Sequence, residues 1–488
     1  MEKDESLTTL DSYKLNVFDT IVDITVSRSF SGFSFYNITI QNITPTTNVI
    51  LQKIRDEFVT KVNLADVQIT DESGFDAMRG QFKKEILVLI RKYFPNANRK
   101  TMDLLMNQII RQNIGLGDIE ILLKDANLEE IAINTSKEPL WVYHKKYGWL
   151  KTNILIPEEN RIRHYATMIG RDVGKEITLL KPLLDAHLLT GDRVNATLYP
   201  ISTKGNTITI RKFAEKPWTI TDFIKSKTID YETSAMIWLA VQNELSLLIS
   251  GGTGSGKTSM LNVCSAFIPI NQRIISIEDT REITLPSDLH WVPLETRLPN
   301  PEGKGEITML DLVVNSLRMR PDRIIMGEIR RKREAEVLFE AMHTGHSVYG
   351  TLHANNVEET IQRLTNPPID VPKMVLPALH MIVVQNRNRR TGFRRTLQLA
   401  EITKNGDASI IKQLDMAKDQ LVDVNEPQAI MDTIKLYTGM TKEQIVEDLR
   451  EKMSILKWIV EKNINNVDRV GDIFRKYYAR RSVQGDSK

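Results

Sequence analysis

Residues 247 to 260 read LLISGGTGSGKTSM. Gly251, Gly252, Gly254 and Gly256 fall within six positions, and Lys257, Thr258 and Ser259 follow directly. Glycines at this spacing let backbone N–H groups turn inward, and a helix starting near Lys257 aims its positive end at the same point. Gly251-x4-Gly256-Lys257-Thr258 is therefore a cradle for nucleotide phosphates. In it Lys257 supplies a point charge to the outer phosphates, and Thr258 offers a hydroxyl to Mg²⁺. The expected binding residues are Gly251, Gly252, Thr253, Gly254, Ser255, Gly256, Lys257, Thr258 and Ser259. A glycine-rich turn without function is the competing reading. It does not account for the apolar strand before the turn and the helix after it.

Binding alone does not cleave a phosphate chain. Hydrolysis needs a placed cation, an aligned water and charge stabilisation. Three later segments carry suitable side chains. ISIEDTRE (275–282) ends an apolar strand in Glu278 and Asp279, and RIIMGEIR (323–330) ends another in Gly327 and Glu328. At the carboxyl ends of parallel strands such acids face the ligand crevice, whereas a lone acid there is commonly just solvated. HTGHSVYGTLHAN (343–355) brackets a short strand with His346 and His353. A zinc site would need a third ligand at a fitting spacing, and none stands there. Histidines that meet phosphate are the better reading.

The elements that must hold these groups follow from the pattern. From residue 231 strand-like and helix-like runs alternate through SLLIS, KTSMLNVCSAF, RIISIED, MLDLVVNSLRM, RIIMGE, KREAEVLFEAMHTG, SVYGTLH, VEETIQRL and MIVVQ. Such a series predicts a parallel sheet wound by helices over 231–410. Residues 76–212 read as an α+β domain. Its helix FDAMRGQFKKEILVLIRKYF sets Met78, Phe82, Ile86, Leu89 and Ile90 on one face, and the strands IAIN, PLWVYH, NILI, DRVNATLYPI and NTITIRKF follow. Residues 1–75 read as a variable N-terminal region of short strands and turns, FSFYNITI being the clearest strand. Residues 213–230 read as a linker and 411–488 as a helical C-terminal region. A basic hairpin is expected around RNRRTGFRR (387–395), and RKYYARR near the end reads as a solvated helix end.

Bulk properties narrow the classes. The chain has 488 residues, 41% hydrophobic and 26% charged, enough for two to four ordinary domains. Net charge is only +3, which argues against a nucleic-acid coat, so nucleic acid is not an expected partner. The one cysteine, Cys264, excludes an internal disulfide and any multi-cysteine metal site, and reads as a small buried hydrophobe. The start, MEKDESLTTLDSY, lacks the apolar core of a signal peptide, and no apolar run reaches membrane-spanning length.

The phosphate loop, IEDTRE, LRMRPDRIIMGEIR and TGHSVYGTLHAN resemble, in order and nearly in spelling, the Walker A motif, Asp box, Walker B motif and His box of the type II/IV secretion and type IV filament ATPases. DANLEEIAIN, GDRVNATLYPI, NTITIRKF and RLTNPPIDVPKMVLPALHMIVVQ resemble the archaeal branch, which drives pili and the archaellum. The resemblance covers about 110–410 well and the tail loosely. It implies an α/β fold: a RecA-like P-loop NTPase core with an α+β N-terminal domain and a helical C-terminal segment. It also implies an ATP-hydrolysing ring motor, a hexamer, using ATP and Mg²⁺. Such a motor works in the cytoplasm, against the inner face of the membrane, on a polytopic platform protein and through it on filament subunits. By resemblance Glu278 is the general base, Glu328 the acid near Mg²⁺ beside Thr258, and His346 and His353 sense the γ-phosphate. Arg193 in GDRV and Arg211 in TIRK match N-terminal-domain arginines that reach the phosphates on closure; a surface salt bridge is the plain alternative. Arg318 and Arg320 could serve a subunit boundary. The four-cysteine zinc subdomain of many bacterial members is missing, and His343 has no assigned role. A traffic ATPase that moves DNA or an effector in a conjugation-type system is the alternative function.

Overall fold

The computed structural model describes residues 7–17, 20–40, 45–61, 72–188, 190–213, 216–297, 299, 303–388 and 390–485. Two compact units divide the chain, Met1–Glu215 and Lys216–Lys488.

The first unit is built on nine strands: β1 (Thr8–Val17), β2 (Thr20–Arg28), β3 (Ser34–Ile40), β4 (Leu128–Ile133), β5 (Trp141–His144), β6 (Gly148–Thr152), β7 (Leu183–His187), β8 (Arg193–Thr197) and β9 (Thr207–Arg211). They form one sheet in the order β1-β2-β3-β6-β5-β4-β9-β8-β7. Every described pairing is antiparallel except β3 with β6, which run parallel through Phe35–Lys151 and Tyr36–Thr152. Side chains alternate faces along a strand, so Val22, Ile24 and Val26 of β2 enter the core together. Residues 1–75 thus supply three strands to the sheet that carries the α+β domain. Buried Asp125 clasps the two parts, its Oδ2 accepting from Tyr13 Oη at 2.5 Å and Tyr36 Oη at 2.6 Å. The helices Pro45–Lys61, Glu72–Tyr93 and Arg99–Ile114 close a smaller core around Ile54, Ile86, Leu89, Ile90 and Ile109. The side chains of Met78 and Phe82, expected on that face, lie outside the described residues. No strand forms over NILI (153–156). The strand precedes it as β6, and Ile154 and Ile156 are buried from an irregular segment.

The second unit carries β10 (Leu247–Gly251), β11 (Arg273–Glu278), β12 (His290–Glu295), β13 (Arg323–Met326), β14 (Ser347–Leu352), β15 (Met381–Arg387), β16 (Arg394–Ile402), β17 (Ala408–Asp415) and β18 (Gln420–Asp423). Their order is β12-β11-β13-β14-β10-β15-β16-β17-β18. The first six are parallel and the last three are added antiparallel. The central parallel strands are apolar on both faces, as β13 (RIIM) and β10 show, because helices cover both sides. This is a RecA-like P-loop α/β fold, with the strand before the glycine loop in the middle of the sheet. β12 stands at the edge, where Pro293 is tolerated.

The stretch 213–230 is not all linker. It contains the helix Ile220–Lys225, capped by Thr219 and Asp222, with Ile220 and Phe223 buried. The C-terminal region begins with β17 and β18 and becomes helical at Gln428. Its helices are part of the core. Helix Tyr231–Gln242 is buried along Thr233–Val241, and Trp238 stacks on Phe267 at 5.5 Å and meets Phe474 and Tyr477 edge-on. Tyr478 Oη accepts from Trp238 Nε1 at 2.8 Å. The solvated reading of RKYYARR is therefore corrected: Tyr477 is buried, Tyr478 is packed beside it, and Arg481 pairs with Asp448 and Glu451. Cys264 is buried as expected, and burial pushes its thiol up to about 12. No described helix is long and apolar enough to cross a membrane.

Candidate active site

Because β10, β11, β13 and β14 run parallel, their carboxyl ends share one edge of the sheet. Gly251, Glu278, Gly327-Glu328 and His353 stand at or just beyond those ends. The glycine loop needs its glycines for two different reasons. A Cβ on Gly251 would lie 2.4 Å from Ser255 Oγ and 2.5 Å from the Gln385 carbonyl oxygen. Gly256 holds φ +95°, a left-handed turn that launches helix Lys257–Ser265. Lys257 is almost fully buried, and its Nζ donates to the Gly252 carbonyl at 3.1 Å and lies 3.3 Å from His353 Nδ1. Thr258 and Ser259 follow in the first turn of that helix.

His353 joins this lysine to an acid. Its Nε2 is 3.5 Å from Glu328 Oε1. Burial first, then the Lys257 charge, hold its pKa below the ordinary histidine value, with Glu328 opposing. The ring is thus neutral near pH 7, with Nδ1 able to accept from Lys257 and Nε2 carrying its proton towards Glu328. Glu328 Oε2 also accepts from Arg330 Nη2 at 2.7 Å, and Arg330 Nη1 pairs with Asp279. Arg330 therefore bridges the acids at the ends of β11 and β13. The spacing in GEIR gave no sign of that bridge.

Glu278 differs from its neighbours. It is 3% exposed; Oε1 accepts from the backbone N–H of Glu282 at 2.8 Å and of Ile283 at 3.0 Å. Oε2 is buried and has no hydrogen-bond partner among the described residues. Burial raises its carboxyl to about 7, against the lowering effect of the two backbone donors. A carboxylate fixed by one oxygen, with the other unsatisfied and a pKa near neutrality, can take a proton from water. Lys257, the two acids, neutral His353 and the close-fitting glycine loop fit a nucleotide triphosphate with its cation.

His346 is not brought to this edge. It precedes β14 and His353 follows it, which separates them by roughly 23 Å at 3.3 Å per residue. The His346 ring contacts Thr344 Oγ1 and the Ala341 carbonyl, each at 3.2 Å. The expectation that both histidines meet one γ-phosphate is corrected by strand length. Arg193 and Arg211 belong to the first unit, where they face each other across β8 and β9. Arg193 makes a two-point pair with Asp185, 2.8 and 3.2 Å, which lowers the Asp185 carboxyl. Arg211 lies beside Glu130, whose carboxyl burial raises. Sequence reasoning missed Arg394, on the basic hairpin, which donates from Nε to the Gly254 carbonyl at 3.0 Å.

The family model described as "Type II/IV secretion system protein" matches residues 190–422. An uncharacterised protein of Methanocaldococcus jannaschii, MJ0900, is 35% identical over 75% of this chain and 68% of its own length. A Mycobacterium tuberculosis protein provisionally named for conjugal transfer, Rv3659c, is 32% identical over 51% of this chain and 72% of its own. The type IV secretion system protein PtlH of Bordetella pertussis is 29% identical over 56% of this chain and 89% of its own. The matched segment spans the glycine loop, both acid-bearing strand ends and the histidine strand, and the chain belongs to the type II/IV secretion system ATPase family.

Proposed function

We propose that the protein hydrolyses ATP with Mg²⁺ and spends the cycle on mechanical work for a secretion or type IV pilus-like filament machine. The observation that carries this reading is the orphaned Glu278 Oε2 at the end of β11, on the same sheet edge as the glycine loop. Glu278 acts as general base, accepting a proton from the attacking water at Oε2 while the Glu282 and Ile283 amides hold Oε1 still. Lys257 and the N–H groups of 252–259 hold the phosphates. Thr258 and Glu328 would hold Mg²⁺, which when bound offsets negative charge on the phosphates. His353, neutral between Lys257 and Glu328, reports the charge at the γ-position through Nδ1. Arg193 and Arg211 add guanidinium charge late in the cycle, a role suited to planar, permanently charged groups.

In this reading the chain works as a homo-oligomeric ring, a hexamer, at the cytoplasmic face of the membrane, on a polytopic platform protein that handles filament subunits. The test is ATP turnover by the full chain. Lys257→Ala abolishes it; Arg193→Ala spares nucleotide binding and slows hydrolysis. Unchanged turnover in both variants rejects the site. A second reading, transport of DNA or an effector, is favoured by the relatives named for conjugal transfer and type IV secretion. Turnover stimulated by DNA and suppressed steeply by salt supports it, and stimulation by platform protein in lipid supports the first.

A further inference from the structure

The basic hairpin of β15 and β16 touches the glycine loop. β15 pairs with β10, Gln385 opposite Gly251, so the strand's last residues run out beside the loop. Arg387 and Arg394 are cross-strand partners at the turn end of the hairpin. Arg394 Nε donates to the Gly254 carbonyl at 3.0 Å, and Arg387 Nη1 lies 3.0 Å from where a Cβ on Gly254 would stand. Both side chains are half-buried.

The other side of the hairpin is fastened to the segment by which the chain enters the second unit. Thr396 N donates to the Thr228 carbonyl at 2.7 Å. Thr228 Oγ1 donates to the Arg394 carbonyl at 3.2 Å, and Arg395 Nη1 donates to the Ser226 carbonyl at 3.0 Å. Arg395 is itself fixed by a two-point pair with Asp419, at 2.7 and 2.9 Å. The hairpin turn is tied as well, Asn388 exchanging backbone bonds with Phe393 and Gly392 at 2.9 and 2.8 Å. The first residues of β16 therefore join residues 226–228 to Gly254, Arg394 meeting the one through its backbone and the other through its side chain.

We infer that Arg394 is a positioning residue that couples the conformation of the nucleotide's phosphate loop to the entry segment at Thr228. Gly254 lies in the turn whose N–H groups must point inward for phosphate to bind, and its carbonyl must then point outward. Arg394 holds that carbonyl with a charged donor, the stronger class of hydrogen bond. When the entry segment shifts, Thr228 carries the Arg394 backbone with it, and the loop loses or regains its outward anchor. This rests on the nucleotide reading of the loop. It adds a route by which chain movement outside the site sets nucleotide affinity.

The test is a double-mutant cycle in the full chain, with nucleotide binding followed by a fluorescent ATP analogue and turnover measured in parallel. Arg394→Ala raises the nucleotide Kd about tenfold, the effect of losing one charge-assisted hydrogen bond. The loss falls on Kd and KM rather than on kcat at saturation, which separates it from damage to the chemical step. Thr228→Ala raises Kd about threefold. The double variant stays near the Arg394→Ala value instead of reaching about thirtyfold, because the two act in series. Melting temperatures without nucleotide remain within about 2 °C of the parent, so the change is not a folding defect. A Kd within twofold of the parent for Arg394→Ala, or strictly multiplicative effects, overturns the inference. Lys257→Ala keeps the two claims apart. If it loses binding while Arg394→Ala keeps it, the coupling is wrong and the nucleotide site stands. If Lys257→Ala binds as the parent does, the nucleotide reading itself fails.

Discussion

Replacing Glu278 with Gln is expected to stop turnover and, above neutral pH, to stabilise the fold. The carboxyl is 3% exposed, one oxygen lacks a partner, and its pKa is raised from 4.5 to about 7. The folded state therefore holds the proton more tightly than the unfolded chain does. Stability is full below the unfolded value and declines as pH rises towards 7, where the buried group ionises. Above that it levels off. Between pH 5 and pH 8 the linkage amounts to about 2.5 kcal/mol at 1.36 kcal/mol per pKa unit. Gln is neutral throughout, so the stability gap between variant and parent widens by about that amount over the interval. Equilibrium urea unfolding of both proteins at the two pH values measures it. In parallel, parent turnover falls about tenfold from its plateau to pH 6, as the ionised fraction of a group with this pKa falls. Glu278→Gln lowers turnover by roughly 100-fold or more at every pH, while nucleotide binding persists. A stability gap that does not change with pH, or a turnover profile flat from pH 6 to 8, refutes the assignment of a strained, proton-accepting carboxyl.

Other outcomes follow from the same geometry. Gly251→Ala forces a methyl against the Gln385 carbonyl and Ser255 Oγ, and nucleotide affinity falls at least tenfold by equilibrium binding. His353→Ala removes the link between Lys257 and Glu328 and changes the Mg²⁺ dependence of nucleotide binding, whereas His346→Ala, at the far end of β14, leaves nucleotide Kd within about twofold.

What was legible in the sequence was what is local. The glycine loop is built from residues a few positions apart, so the spacing of Gly251, Gly256 and Lys257 revealed the strand-loop-helix element. Glu278 and Glu328 stand at the strand ends where the pattern put them, because strand pattern and strand end are also local. The alternation of elements gave the parallel sheet. Edge strand β12 was hidden by Pro293, which reads as a strand breaker yet is accepted where one side of the strand pairs with nothing. The pairing of β3 with β6 rests on two residue pairs more than a hundred positions apart, so nothing near Ser34 announced that residues 1–75 would join the larger sheet. Arg394 was invisible for the same reason: 140 residues separate it from Gly254, and only the register of β15 on β10 brings them together. His346 was misplaced because the resemblance of the motif grouped it with His353, whereas the strand Ser347–Leu352 between them puts the two at opposite ends.

The helix Val467–Gly485 lies beyond the segment the family model matches, yet Phe474 and Tyr477 close the aromatic cluster around Trp238, directly behind helix Tyr231–Gln242. During synthesis, the nucleotide-binding half emerges from the ribosome long before the residues that seal its rear wall. Final consolidation of this half must wait for those residues, and a shortened version ending at residue 422 would leave an aromatic scar open to water and to chaperones.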